Sequence, residues 1–415
     1  MSRSLAGLIA SAALVSPALA AAQAKPDAKL WAAAQAAEAP ALDFLAQLVA
    51  IDSQTGDKEG AAKVQALLTP RLQALGASSI EVVASENPAV ADNLVATFKG
   101  RGQAKILLIA HLDTVFPRGS AAARPFRREG GRAYGPGVGD EKGGLVAGIT
   151  ALSMLKGLGR ADYGTLTLLV DGSEETGSPG STQLICRLAR EHDVELNLEP
   201  GDPPDVITVW RKGSTKFAID VKGQAAHSGV APQDGRNAAA ELVNQLSQLG
   251  GFPKSGEQET VNLTVMRAGE RNNIIPDAAQ ATLDVRVRRQ EQVDVIEGEL
   301  KRHAAAPAIE GTTVSVSHST SFPPLAGDAR TMALADRAAR LYGELGRKIV
   351  FGGNGGASQS ALAAAEGTPA LDGLGFVGGD FHTDKEWIDV TTVAPRLYLL
   401  ARLIEDLSKS PPKKN

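Results

Sequence analysis

The sequence predicts an α/β layered domain with a mostly parallel sheet, interrupted by a smaller inserted domain of order β-α-β-β-α-β. Three observations predict it. Short apolar runs suited to buried strands alternate with helix-period segments over the first half of the chain. Between about residues 207 and 318 that alternation gives way to strand, helix, two strands, helix and strand, the ferredoxin-like order. Polar clusters follow directly on the apolar runs, where α/β sheets gather their sites.

Residues 1–24 hold one basic residue, Arg3, an apolar run over 5–15 and an Ala-x-Ala end. That is the pattern of a secretory signal peptide, cut after Ala20 or Ala24, so export to the periplasm or outside the cell is expected. No later stretch approaches ~20 uninterrupted apolar residues, so the mature chain is expected to be soluble, with no membrane partner. Helix periodicity marks 41–51 and 61–75, and strands are expected at 79–84 and 93–98. The continuous apolar run at 105–110 suits a strand buried on both faces. Helix is expected at 143–155, buried strand at 165–170, helix at 181–191 and strand at 194–198. The inserted domain reads as strand 216–221, helix 237–249, strands 259–267 and 281–288, helix 292–303 and strand 312–318. Helix and Gly-rich loop segments then run to 408. The expected organisation is a leader at 1–24, a layered domain in two parts at 25–207 and 321–408, an insertion at 208–320 and a flexible tail at 409–415.

Composition narrows the chemistry. Lys and Arg number 43 against 47 Asp and Glu, a net charge of −4, which gives no basic footprint for nucleic acid. Hydrophobic residues at 43% and charged ones at 22% exclude a wholly disordered chain. There is one cysteine, Cys186, so no intramolecular disulfide and no thiolate metal cage is available. Any metal must sit on His, Asp and Glu.

Five clusters offer such ligands. His111-Leu-Asp113 follows the run at 105–110; residues two apart on an extended chain share a face, so Asp113 is placed to orient the imidazole. The loop Gly135-Pro-Gly-Val-Gly139-Asp140 lacks the phosphate-loop pattern, and Asp140 and Glu141 would repel a phosphate. It reads as a glycine-flexed loop that presents Asp140 at the mouth of a helix. Glu174-Glu175 follows the strand at 165–170; two adjacent carboxylates beside a buried strand raise each other's pKa, a penalty that a divalent cation removes. Glu199 ends the strand at 194–198, and His382 lies in a late Gly-rich segment. Together these supply His111, His382, Asp140, Glu175 and Glu199, with Glu174 to spare. A mixed N/O donor set without thiolate suits a hydrolytic zinc pair bridged by one carboxylate.

The order and wording of the clusters, from His-x-Asp-x-Val through Gly-Pro-Gly-x-x-Asp-x-Lys-Gly-Gly, Glu-Glu-x-Gly-Ser and Glu-Pro to the late Gly-x-x-His, resembles the di-zinc metallopeptidase family of aminoacylase, dipeptidase and carboxypeptidase G. The segment Leu371-Asp-Gly-Leu-Gly-Phe-Val-Gly-Gly resembles its bacterial glutamate carboxypeptidase branch. The resemblance implies two Zn(2+) per subunit with Asp140 bridging, His111 and Glu199 completing one site, and Glu175 and His382 the other. It implies Glu174 as the base that activates a metal-bridging water, with Asp113 orienting His111. It also implies a homodimer through the insertion, with His227 of Gly-Gln-Ala-Ala-His-Ser-Gly reaching the partner subunit's site as an oxyanion donor. Without the resemblance His227 reads as a turn histidine near the helix at 237. Asn273, Arg286, Gly355 and Gly356 match positions that hold the substrate's carboxylate, although Arg286 also reads as a solvated strand arginine.

Two positions depart from the pattern. The acidic residue expected after the glycine run is replaced by Ala357-Ser358-Gln359. The arginine that glutamate-selective members carry before a proline is replaced by Phe322, which lowers the expectation of glutamate selectivity and raises an apolar or aromatic C-terminal residue. The expected activity is hydrolysis of the amide bond to a C-terminal amino acid of a small peptide. N-acyl amino acid hydrolysis and dipeptidase activity are the alternatives, and a non-catalytic binding or dimerisation module is disfavoured because every ligand and the base are present. No Gly-x-Ser-x-Gly elbow occurs for a serine hydrolase.

Overall fold

The computed structural model describes residues 25–249, 254–255 and 258–414; the expected leader at 1–24 lies outside the described residues. Six strands form the main sheet in the order Ser79–Val83, Asn93–Lys99, Thr165–Asp171, Lys105–His111, Val194–Asn197, Ala370–Leu371. Asn93–Lys99 runs antiparallel to both its neighbours, and the remaining three pairings are parallel. The centre of this sheet is Lys105–His111, whose residues from Ile106 onward are fully buried.

Its alternation sorts two layers. Ile106, Leu108 and Ala110 pack in one core with Leu45, Leu145 and Leu400, from the helices Ala28–Val49, Lys142–Gly157 and Val393–Lys409. Leu107 and Ile109 meet Leu184, Ile185 and Leu188 of the helix Thr182–Glu191 on the opposite face. Each such side chain contributes roughly 1.5–3 kcal/mol by leaving water, which is why a run apolar on both faces becomes the sheet centre.

The first helix is longer than the periodicity at 41–51 predicts. It starts at Ala28, where the Asp27 side chain accepts the N–H groups of Lys29 and Leu30, and it carries Pro40 inside. Its first half is alanine-rich, so an apolar stripe has little contrast there, and tertiary packing holds the helix through the proline. The helix Lys58–Leu75 ends on Gly76, whose φ of 86° is the left-handed C-terminal stop that glycine supplies.

From Gly213 to Phe322 the longer elements are four ten-residue strands and two helices, with the two-residue strands Ala226–His227, Lys254–Ser255 and Ile274–Ile275 between them. Their sheet is antiparallel throughout, in the order Thr313–Phe322, Gly213–Lys222, Ala278–Val287, Glu259–Ala268, with Lys254–Ser255 at the edge. It has its own core, in which Phe217, Ile219, Val221, Leu283 and Val285 meet Leu242, Ile296 and Leu300 of the two helices. The preceding strand Val206–Arg211 pairs in parallel with Val350–Asn354, so the expected boundary between 207 and 208 falls inside a strand of the larger unit. A described helix long and apolar enough to cross a membrane is absent.

Candidate metal centre

The carboxyl ends of the central strands deliver the site, as open parallel sheets do. His111 is the last residue of its strand and lies in register with Asp171 at the end of the neighbouring one. Beyond Asp171, a short 3-10 turn over Glu174–Thr176 carries Glu174 and Glu175. Glu199 stands two residues past Val194–Asn197. Asp140 comes from the glycine loop that opens the helix Lys142–Gly157, and His382 from the loop before Trp387–Asp389.

His111, Glu199, Glu175 and His382 converge on Asp140. Its Oδ1 lies 3.1 Å from His111 Nε2, and its Oδ2 lies 3.1 Å from His382 Nε2. Glu199 Oε1 is 3.6 Å from His111 Nε2, and Glu175 Oε2 is 3.1 Å from His382 Nε2. Two triads result, His111–Asp140–Glu199 and Asp140–Glu175–His382, each with its ligand atoms within 4.8 Å of one another. Asp140 belongs to both.

The electrostatics describe a site that demands positive charge. Burial, then the charge of Glu199, pushes Glu174 well above the usual carboxylate range, and burial with Asp140 pushes Glu175 up to about 7. Burial also raises Glu199, against the opposing pull of Arg211. For Asp140 burial is outweighed by hydrogen bonds from His111 and His382, which lower it. Hydrogen bonds to Asp140 and Glu175 raise His382 to about 11. Glu175 Oε1 is buried with no hydrogen-bond partner. A buried carboxylate oxygen without a donor, beside two imidazoles and two further carboxylates, fits the hard-to-borderline donor set of a divalent cation pair.

Surrounding residues hold these ligands. His111 Nδ1 lies 2.9 Å from the Asp113 carbonyl oxygen and 3.4 Å from its carboxylate, so the backbone oxygen is the nearer acceptor. The Asp113 carboxylate itself accepts the N–H groups of Glu174 and Glu175, at 3.0 and 3.2 Å, and the Thr55 hydroxyl at 2.6 Å. Arg211 is buried and donates through Nε and Nη2 to both oxygens of Asp372, at 2.9 Å each, and from Nη2 to Glu199 Oε2 at 3.3 Å. Asp372 also accepts the hydroxyls of Ser358 and Ser360. Gln359 donates to Asp171 at 3.3 Å. The departure at Ala357-Ser358-Gln359 is thus a hydrogen-bonded bracket beneath the site.

The remaining expected residues lie elsewhere. His227 is exposed in a two-residue strand paired with Ile274–Ile275, and Asn273 accepts the Ser228 N–H through its carbonyl at 3.0 Å, so these two share one edge of the insertion. Gly229 and Val230 donate N–H to His227 Nδ1 at 3.2 Å each, which leaves Nε2 as the protonated nitrogen. Arg286 sits one residue from the end of Ala278–Val287, opposite Ser214 and Thr260, with its guanidinium on Asp284 at 3.1 Å. Gly355 and Gly356 follow Val350–Asn354; a Cβ on Gly356 would lie 3.5 Å from Arg211 Nη1, while one on Gly355 would meet nothing within 4 Å. Phe322 is 4% exposed and packs with Leu107, Ile109 and Leu184, so it lines the core and its apolar side chain carries no argument about substrate. Sequence reasoning missed Thr55, Arg211, Asp372 and Glu386. Asp372, directly after a short buried strand, carried the same strand-end signal as Glu199; the others are joined to the site only by the fold.

Residues 107–406 match the model of peptidase family M20/M25/M40. The chain is 35% identical to carboxypeptidase G2 of Pseudomonas sp. (strain RS-16) over 406 residues, covering 97% of each. The fold is shared with aminopeptidase PepT of Bacillus cereus, at a TM-score of 0.71 and 23% identity, covering 89% of this chain and 98% of that one. A dinuclear metal-binding peptidase of Bacillus subtilis from the same family superposes with a TM-score of 0.65 at 17% identity, covering 91% and 99%.

Proposed function

The chain belongs to peptidase family M20/M25/M40, and on that premise we propose that it is a zinc-dependent exopeptidase that hydrolyses the amide bond to a C-terminal amino acid. The observation that carries this reading is the pair of histidine–carboxylate triads sharing Asp140, with Glu174 beside them. The dinuclear character of the Bacillus subtilis neighbour and the similarity to carboxypeptidase G2 support it. His111, Asp140 and Glu199 would hold one Zn(2+), and Asp140, Glu175 and His382 the second. When bound, the two ions would polarise the scissile carbonyl and acidify the attacking water.

The chain's own residues do the rest. Glu174 is buried, and burial with the charge of Glu199 raises its carboxyl, which favours its taking a proton from the water; the same carboxyl would then pass that proton to the leaving amine. The Asp113 carboxylate fixes the turn on which Glu174 stands. The Gly355–Gly356 loop, next to Arg211, is the place for the substrate's carboxylate. His227, exposed and with Nδ1 occupied, suits an oxyanion donor supplied to a partner subunit's site, and the insertion serves as lid and dimerisation surface. We further assign residues 1–24 as a leader removed on export.

The test is metal content together with Glu174→Ala assayed on a panel of N-acyl amino acids and dipeptides. The expected result is about two zinc ions per subunit, retained in the variant, with turnover lowered by at least ~10³-fold. Unchanged turnover in the variant overturns the base assignment. Turnover of unblocked dipeptides alone would make the chain a dipeptidase with the same centre.

A further inference from the structure

The glycine loop before Asp140 is an anion nest, and the anion that fills it comes from the chain itself. Glu386 Oε2 accepts the N–H of Gly137 at 2.9 Å, and Oε1 accepts those of Gly139 and Asp140 at 2.8 and 2.9 Å. Glu386 is 1% exposed. Three convergent backbone donors are what such loops offer a phosphate or carboxylate. Here the φ of 71° at Gly137 helps to aim them, and a Cβ there would lie 2.7 Å from Thr114 Cγ2.

Glu386 is also four residues past His382, in the same loop. That loop is closed on itself by Thr383 N–H to the Asp380 carbonyl at 3.2 Å and by Trp387 Nε1 to Asp380 Oδ2 at 3.0 Å. Phe381 presses so near the glycine loop that a Cβ on Gly139 would lie 2.7 Å from its ring. The loop that carries His382 and the loop that carries Asp140 are therefore joined through one carboxylate.

We propose that Glu386 is a positioning residue that couples the two metal sites, holding Asp140 at the height where one oxygen faces His111 and the other faces His382. The inference rests on the two-metal reading of the centre. A glutamine at 386 keeps the shape but turns an amide N–H₂ toward a nest of three donors, so the loop must shift and Asp140 with it. The site completed by His382 should weaken most, because both its loop and its shared ligand hang on this contact. Removing residues that orient metal ligands typically weakens binding by about 10–100-fold.

Metal-stripped wild type, Glu386→Gln and Glu386→Asp would be titrated with Zn(2+) by calorimetry, with melting of the metal-free proteins and kcat and KM of the loaded ones alongside. The expected result is two ions on wild type, and on Glu386→Gln one ion held near wild-type affinity and the other weakened at least ~10-fold. A fall in kcat with KM within about twofold should accompany it. Glu386→Asp, which keeps the charge, should recover part of the lost affinity. Two ions bound by Glu386→Gln at wild-type affinity overturn the coupling while leaving the two-metal reading intact. If Glu386→Gln does not fold, wild-type affinity for both ions in Glu386→Asp overturns it equally. A wild type that binds fewer than two ions overturns the parent reading instead.

Discussion

The Asp113 carboxylate accepts the backbone N–H of Glu174 at 3.0 Å, so the side chain beside His111 is also the anchor of the proposed base. Asp113→Asn replaces one acceptor oxygen by an N–H₂ facing N–H groups of the 3-10 turn, and the turn must move. We expect kcat to fall by about 10²-fold or more, since misplacing a catalytic group by ~1 Å has that effect. The His111 ring keeps its nearer acceptor, the Asp113 carbonyl, so zinc at the His111 site should be retained. Steady-state kinetics with metal analysis checks this; full activity in the variant would show that the turn is held by other contacts.

Glu195 is fully buried in the middle of its strand, and neither carboxylate oxygen has a hydrogen-bond partner. Burial, then the charge of Asp372, raises its carboxyl well above the ordinary value of 4.5. The folded chain therefore keeps a proton that the unfolded chain releases. The contribution of the neutral carboxyl to stability is complete below about pH 4.5 and is lost as pH rises toward the folded value. Glu195→Gln cannot ionise, so its melting temperature minus that of wild type should grow from pH 4 to pH 7, by more than ~2 °C. A difference that does not change with pH would contradict this.

Arg211 is the counter-charge for two buried carboxylates, Asp372 and Glu199. Arg211→Met leaves both without it, and breaking a buried ion pair from one side destabilises by about 3–5 kcal/mol. Urea unfolding of the metal-free protein measures this directly. Arg211→Lys should recover little, because a single ammonium cannot donate to both oxygens of Asp372 in the planar fork that Arg211 uses.

Much of the centre was legible because its ligands share one rule. Each of His111, Glu175 and Glu199 stands just past an apolar run, and the rule needs no knowledge of which strands pair. Glu386 and Arg211 obey no such rule. Glu386 meets Gly137 across 249 residues, and Arg211 meets Asp372 across 161, so only the closed fold brings them together. Phe322 fails for a related reason. It stands where glutamate-selective members carry an arginine for substrate, but the pairing of Thr313–Phe322 shifts register after Thr320, and the ring packs in the core with Leu107 and Ile109. The helix from Ala28 shows the same limit in secondary structure, since an alanine-rich stretch acquires its buried face only from the helices it packs on.

Removing metal tests how far the centre depends on a cation for its stability as well as its chemistry. Glu174, Glu175, Glu199 and Asp140 crowd one buried site, and among the described residues the cations in contact with them are His111, His382 and Arg211. A bound ion contributes RT ln(1 + [L]/Kd), about 4 kcal/mol at a thousandfold excess over Kd. Chelation should therefore lower the melting temperature and abolish turnover together, and zinc should restore both. Because metal binding competes with protons for the imidazoles and carboxylates, affinity should fall as pH is lowered below 7. His382→Ala should lose one ion, keep part of the zinc-dependent rise in melting temperature, and lose turnover. An equal rise in the variant would mean that His382 is not a ligand.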